Sequence, residues 1–324
     1  MHPASSVAEL TLAKRTLVMG IVNVTKDSFS DGGRWLDVDA ATNHARELVE
    51  QGADMIDVGG ESTRPGAVRV EAQEEADRVV PVIQALHEQG IRTSVDTMRA
   101  SVAAAAVTAG VDMINDVSGG LADPEMYAAM ADAGVPVCLM HWRTLQEGAF
   151  GSAAGTADHG GDVVRDVHET LARLSANALD AGVKRENIVL DPGLGFAKSP
   201  QDNWALLRAL PEFLAGEFPI LVGASRKRFL AAIREDRGEE ASPLLADSAT
   251  AAVTAISAQM GAWGVRVHEV GVSRDAVDVA AAWNAGKSYG GGANATGSYR
   301  NAADGTGTVT STAVGTDAVD LERN

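Results

Sequence analysis

Arg92-Thr-Ser-Val-Asp96-Thr-Met-Arg99-Ala-Ser-Val-Ala-Ala-Ala-Ala-Val-Thr-Ala-Gly110-Val-Asp112-Met-Ile-Asn-Asp116 contains one complete structural unit. Arg92–Asp96 is short, with β-branched Thr93 and Val95, and reads as a strand. The alanine-rich stretch 99–109 contains neither Gly nor Pro and reads as a helix. Gly110 follows it, where a helix end needs a left-handed residue, and Asp112–Asn115 is a second short strand. Two strands joined through a helix run parallel. Working outward, the unit recurs. Further strands are expected at Leu17–Val22, Asp54–Val58, Pro136–Met140, Ile188–Asp191, Pro219–Val222 and Gly264–His268. Further helical patterns fall at 39–51, 71–89, 123–133, 161–181, 201–214, 244–260 and 274–285. Asp39, Asp123 and Ser273 are the expected caps, and Gly52, Gly90, Gly134 and Gly182 the expected helix ends. Eight βα units with no strand left over predict a (β/α)8 TIM barrel, with an open doubly wound sheet as the alternative.

Composition agrees with that class and excludes others. Apolar residues make up 45% of the 324, enough for a large core. No apolar run is long enough to span a membrane, and Met1–Arg15 lacks the pattern of a signal peptide. The single cysteine, Cys138, rules out an internal disulfide or a cysteine zinc site and reads as a small core residue. A soluble cytoplasmic protein is expected. The net charge of −17 disfavours a nucleic-acid partner. Residues 1–16 are expected to form an N-terminal segment and 17–286 the barrel. In 287–324, 22 of the 38 residues are Gly, Ala, Ser or Thr, so a disordered tail is expected there.

The chemistry collects just after each strand. Asn23 leads into Asp27-Ser-Phe-Ser-Asp-Gly-Gly33, and Asp57 into Gly59-Gly-Glu-Ser-Thr-Arg-Pro-Gly66. Asp96 and Asn115-Asp116 end the next two strands. Met140-His-Trp-Arg143, Asp191-Pro-Gly-Leu-Gly195 and Gly223-Ala-Ser-Arg-Lys-Arg228 follow, and the last strand carries Arg266 and His268. In a barrel all of these face the active-site end. Taken singly, most have plainer readings. Asp116 and Asp123 read as caps, Gly193-Leu-Gly195 as a turn, His141 and Arg143 as rim residues, and Glu71–Asp77 as a solvated helix face. Arg226, Lys227 and Arg228 with Arg64, Arg266 and His268 form a cationic group in an acidic protein. They predict an anionic ligand such as phosphate or diphosphate. The alternative is a structural ion-pair network with Asp57 and Glu61. Asn23 and Asp31 offer hard oxygens suited to magnesium. Asp96, Asn115 and Asp191 should converge in the barrel, where two carboxylates and an amide suit an amino-pyrimidine edge. Met140 and Phe196 supply apolar walls, and Arg266 can stack on a ring.

Several of these stretches resemble dihydropteroate synthases, in particular actinobacterial ones. They are Met19-Gly-Ile-Val-Asn-Val-Thr-Lys-Asp-Ser-Phe-Ser-Asp-Gly-Gly33, Asp57-Val-Gly-Gly-Glu-Ser-Thr-Arg-Pro-Gly-Ala67, Ser94-Val-Asp-Thr97, Ile114-Asn-Asp116, Leu139-Met-His141, Leu190-Asp-Pro-Gly-Leu-Gly-Phe196, Ser225-Arg-Lys227 and Arg266-Val-His268. The resemblance runs in order from about residue 17 to 285. It implies a homodimeric magnesium-dependent transferase of folate biosynthesis. Such an enzyme joins 6-hydroxymethyl-7,8-dihydropterin diphosphate to 4-aminobenzoate, releases diphosphate, and is a sulfonamide target. Carried over by motif, Asp96, Asn115, Asp191 and Lys227 hold the pterin, with Met140, Gly195 and Phe196 lining its slot. Thr63, Arg64, Arg266 and His268 hold the diphosphate, and Asn23 binds magnesium. Phe29, Thr63, Pro65 and Ser225 shape the aminobenzoate site once two glycine-rich loops close. Asp31, Arg64 and Lys227 are the catalytic set. Lys26 stands where the family carries proline. Two rivals share the barrel. A pterin-dependent methyltransferase has no need of the Arg-Lys cradle or the Ser-Thr-Arg-Pro loop. A non-enzymatic paralogue would have lost Asn23, Asp31, Arg64 or Lys227.

Overall fold

A computed structural model describes residues 3–12, 14–25, 34–61, 70–143 and 157–285. Lys26, Phe29, Asp31, Thr63, Arg64, Pro65 and the segment 287–324 lie outside the described residues. Eight strands alternate with helices. They are β1 (Leu17–Asn23), β2 (Met55–Gly59), β3 (Thr93–Asp96), β4 (Met113–Asp116), β5 (Val137–Met140), β6 (Ile188–Asp191), β7 (Leu221–Val222) and β8 (Gly264–Val267). The helices are α1 (Val7–Leu10), α2 (Arg34–Glu50), α3 (Ala72–Glu88), α4 (Ala100–Thr108), α5 (Met126–Ala133), α6 (Val163–Asp180), α7 (Pro200–Arg208), α8 (Leu210–Leu214), α9 (Arg228–Glu235), α10 (Asp247–Met260) and α11 (Val270–Asn284). The strands pair in parallel in the order β6-β5-β4-β3-β2-β1-β8-β7. A parallel bridge between Leu190 and Ile220, with the Leu190 N–H donating to the Pro219 carbonyl at 2.9 Å, joins β6 to β7. The sheet is therefore a closed barrel and not an open doubly wound sheet.

Strand alternation sorts the side chains into two sets. Val18, Ile56, Val95, Ile114, Leu139, Leu190, Val222 and Val265 join the large outer cluster with the helices. Leu17, Met19, Met55, Met113, Cys138, Val189 and Leu221 form a second, inner cluster, together with Val7 and Leu10 of α1. Cys138 is thus the expected core residue, and burial pushes its thiol pKa up. Two residues further along β2, β4, β5 and β6, on the same face, stand Asp57, Asn115, Met140 and Asp191. The inner face of the barrel is apolar at the end where the strands begin and polar where they finish.

Local expectations fared unevenly. All five helix-end glycines have positive φ; at Gly110, φ is 95° and an added Cβ would stand 2.7 Å from the His87 ring. Asp39 is no cap, because α2 begins at Arg34. Ser273 lies within α11, and its hydroxyl donates to the Glu269 carbonyl. Asp123 accepts from Glu125 N–H and also from Ala100 N–H, the first residue of the preceding helix. Among the described residues, the N-cap side chains that bind their helix ends are Asp162 on α6, and Ser199 with Asp202 on α7. The pattern 201–214 divides at Ala209 because Pro211 brings no N–H to a continuing helix. Helices α1 and α9 are not among the expected elements; α9 buries Phe229, Leu230 and Ala231.

Candidate active site

Arg266, on β8, reaches across the barrel mouth. Its Nε donates to Asp57 Oδ2 at 2.6 Å and its Nη2 to Asp96 Oδ2 at 2.7 Å. Asn115 Nδ2 donates to the same Asp57 oxygen at 3.3 Å. Side chains from β2, β3, β4 and β8 thus form one buried group, as the strand-end positions of Asp96, Asn115 and Arg266 predicted. Asp57 enters as the central acceptor. The ion-pair alternative is half realised: Asp57 pairs with Arg266, whereas Glu61 pairs at 2.8 Å with Arg99, which also holds Glu75.

On the opposite wall, Asp191 Oδ1 accepts from the Gly193 N–H at 2.7 Å. Gly223 keeps the other oxygen accessible, since a Cβ there would approach Asp191 Oδ2 to 3.3 Å. Lys227 leaves the β7 loop and points inward, its Nζ 3.9 Å from the centre of the Phe196 ring. Gly195, with φ 77°, makes room for the lysine stem: a Cβ there would come within 2.5 Å of Lys227 Cδ. Phe196 and Met140 cluster with Met98 and Val117 as an apolar wall. The three cations expected together in this loop separate. Arg226, at φ 56°, turns away and forms a bidentate pair with Asp247 at 2.7 and 2.9 Å. Arg228 begins α9 and is exposed.

Ser225 and His268 meet at the rim. The Ser225 hydroxyl oxygen accepts from the backbone N–H of His268 at 3.1 Å and lies 2.9 Å from His268 Nδ1. His268 Nε2 takes no part in that contact. Burial, with Arg266, Arg226 and Lys227 nearby, draws the His268 pKa down to about 3, so neutrality is the rule. Ser225, expected at the aminobenzoate site, holds both the ring and the backbone of His268.

Burial raises the pKa of Asp96 to about 7, with Asp57, Glu75 and Asp116 adding to the rise and Arg266 opposing it. Burial raises that of Asp191 too. Burial lowers Lys227 to about 8, helped by Arg266 and opposed by Asp191 and Asp96. Burial also works against the charge on Arg266, but Asp57 and Asp96 outweigh it and hold its pKa above the ordinary value. Carboxylates desolvated this strongly are set to accept N–H groups from a ligand. Asn23 ends β1 beside them. Gly59 leaves open the space between Asn23 Oδ1 and Asp96 Oδ2: a Cβ there would lie 3.7 Å from one and 3.8 Å from the other.

A closed barrel with this mouth matches the family described as pterin binding enzyme over residues 19–268. The chain is 50% identical over 274 residues to the dihydropteroate synthase of Mycobacterium leprae, covering 82% of this chain and 93% of that one. The crystal structure of dihydropteroate synthase from Clostridium difficile in the presence of pteroic acid superposes with a TM-score of 0.76. It is 39% identical, over 83% of this chain and 97% of that one. The Xanthomonas albilineans dihydropteroate synthase in complex with 7,8-dihydropteroate gives 0.70 at 41% identity, over 84% and 93%. The chain belongs to the dihydropteroate synthase family of pterin-binding enzymes.

Proposed function

We propose that this chain condenses 6-hydroxymethyl-7,8-dihydropterin diphosphate with 4-aminobenzoate to give 7,8-dihydropteroate and diphosphate. The observation that carries the reading is the convergence of Asp96, Asn115 and Asp191 with Lys227 and Arg266 at one barrel mouth. The carboxylates accept from the amino-pyrimidine edge of the pterin, and Phe196 and Met140 hold its faces. Arg266, locked in plane by Asp57 and Asp96, and His268 through its Nε2 meet the diphosphate. Thr63 and Arg64, outside the described residues, join them by their motif. So do Phe29, Thr63 and Pro65 around the aminobenzoate, with Ser225 at its edge.

In the reaction, the bond between the pterin methylene and the diphosphate oxygen breaks, and the aromatic amine forms the new carbon–nitrogen bond and loses a proton. Fixed positive charge stabilises the negative charge gathering on the leaving group. Asp31 offsets the positive charge left on the pterin methylene. No side chain forms a covalent intermediate. Magnesium suits Asn23, whose amide oxygen is a hard donor next to the Asp96 carboxylate. When bound, it would neutralise diphosphate charge. The test is diphosphate release from the pterin diphosphate with and without magnesium and 4-aminobenzoate, with dihydropteroate identified by mass. Release that needs neither, or no dihydropteroate, would refute the reading.

With Asp96 titrating at about 7, kcat/KM for the pterin diphosphate should fall as pH drops through that value, because the protonated carboxyl no longer accepts two N–H groups. Asp96→Asn should flatten this acid limb; an unchanged limb assigns it elsewhere. Two further parts of the reading concern assembly. Ile256 and Met260 of α10 and Val272, Val279 and Trp283 of α11 are exposed apolar side chains, Trp283 at 77%. They support a homodimer through this face, which sedimentation of a Trp283→Glu variant would test by its dissociation. The 287–324 segment is proposed as a disordered tail. Its deletion should shift Tm by less than about 2 °C and leave kcat unchanged, since so polar and glycine-rich a stretch buries little. A larger loss of either would show that it docks.

A further inference from the structure

Behind the proposed pterin slot lies a buried polar cluster that the mechanism does not use. Lys198 is 8% exposed and His141 fully buried. Lys198 Nζ lies 2.8 Å from the Gly193 carbonyl, 3.2 Å from the Phe196 carbonyl and 3.0 Å from His141 Nδ1. Burial draws the Lys198 pKa down to about 7, and the three contacts match the three donors of its protonated form. Asp166, an ionised acceptor whose Oδ2 lies 3.3 Å from His141 Nε2, calls for the ring proton there, which leaves Nδ1 as the acceptor toward Lys198. Asp166 also takes His159 Nδ1 at 2.7 Å and Arg143, while His159 Nε2 stands 3.1 Å from the Ala197 carbonyl.

The cluster thus grips the turn 191–198 by three of its carbonyls. That turn needs the grip at Ala197, where a side chain disfavours the left-handed backbone that Gly193 and Gly195 adopt at no steric cost. Gly193, Gly195 and Ala197 have φ of 72°, 77° and 50°, so three residues in five sit in left-handed backbone. The same turn presents the Asp191 carboxylate and the Phe196 ring to the slot, and the His141 N–H binds the Asp191 carbonyl at 2.9 Å. We infer that Lys198, oriented by His141 and Asp166, is a positioning residue that sets the pterin-facing wall of the site. This rests on the pterin reading above.

The ligand atoms of His141, His159 and Asp166 lie within 4.8 Å of one another, a spacing that would also suit a metal ion. The hydrogen bonds oppose that use. A metal on His141 Nε2 would require Nδ1 to carry a proton and donate it, and Nδ1 faces the Lys198 ammonium. Arg143 meanwhile occupies the second oxygen of Asp166. Burial, with Lys198 alongside, draws the His141 pKa down to about 3, in keeping with a neutral ring between ammonium and carboxylate.

Calorimetry with the pterin diphosphate and magnesium tests the inference, with Lys198→Met, His141→Leu and His141→Asn beside the wild type. Lys198→Met and His141→Leu should weaken pterin diphosphate binding about tenfold to a hundredfold, the usual effect of misplacing a binding wall by an ångström. KM for 4-aminobenzoate should stay within about threefold of the wild type, by the same logic of a local displacement. His141→Asn, whose amide oxygen replaces the Nδ1 acceptor, should bind nearly as well as the wild type. Should Lys198→Met fail to fold, the His141 pair decides. Folded variants with unchanged pterin binding, or asparagine no better than leucine, would overturn the inference. A wild type that binds no pterin diphosphate would instead sink the proposed function.

Discussion

Lys227→Ala should lower kcat/KM for the pterin diphosphate by about thirtyfold to a thousandfold, equivalent to ~2–4 kcal/mol, the range for removing one preorganised donor. The lysine is held where a charged ligand arrives, above the Phe196 ring and between Asp191 and Asp96. Burial draws its pKa down to about 8, which still leaves it mostly charged at neutral pH and able to interact with bound charge. Tm should change little, because the side chain contributes to the mouth and not to either apolar cluster of the barrel. Lys227→Arg should not restore activity. The stem passes directly over Gly195, where even one carbon would come within 2.5 Å, and a guanidinium needs more width than an ammonium. A folded Lys227→Ala enzyme with near-normal kcat/KM would remove the residue from the mechanism.

Gly193→Ala should be the more damaging change for stability. At φ 72° an L-residue is strained by roughly 1–2 kcal/mol, and the new Cβ would drive into the His141 carbonyl oxygen, a backbone atom that cannot move aside. Together with overpacking, a loss of about 3 kcal/mol is expected, and a fall in Tm on the order of 6–10 °C. Gly134→Ala is the control. Its φ of 65° is similar, but an added Cβ meets nothing within 4 Å, so only the backbone strain of roughly 1–2 kcal/mol remains. Equal Tm shifts for the two variants would show that the His141 contact has no weight, and the tight fit of the turn against β5 would have to be abandoned.

The barrel was readable along the chain because its signals are local. Strand parity places Asp96, Asn115, Asp191 and Arg266 on the inner face whatever else the chain does, and the glycine after each helix marks where the backbone must turn left-handed. The strand ends likewise forecast the polar mouth; the apolar base beneath it is seen only in the structure. Where side chains go after a strand ends follows no such period. Arg226, Lys227 and Arg228 are adjacent in sequence, yet one pairs with Asp247, one enters the slot and one faces solvent. Arg226 takes its direction from a left-handed backbone that nothing in its residue type announces. Asp57 becomes the partner of Arg266 across 209 positions of chain, and Lys198 that of His141 across 57. Such partners are selected by barrel closure, which brings distant strand ends within hydrogen-bonding distance. Once buried, a charge is stable only if whatever lies opposite can answer it. Chain order carries the first kind of information, and only the closed tertiary structure carries the second.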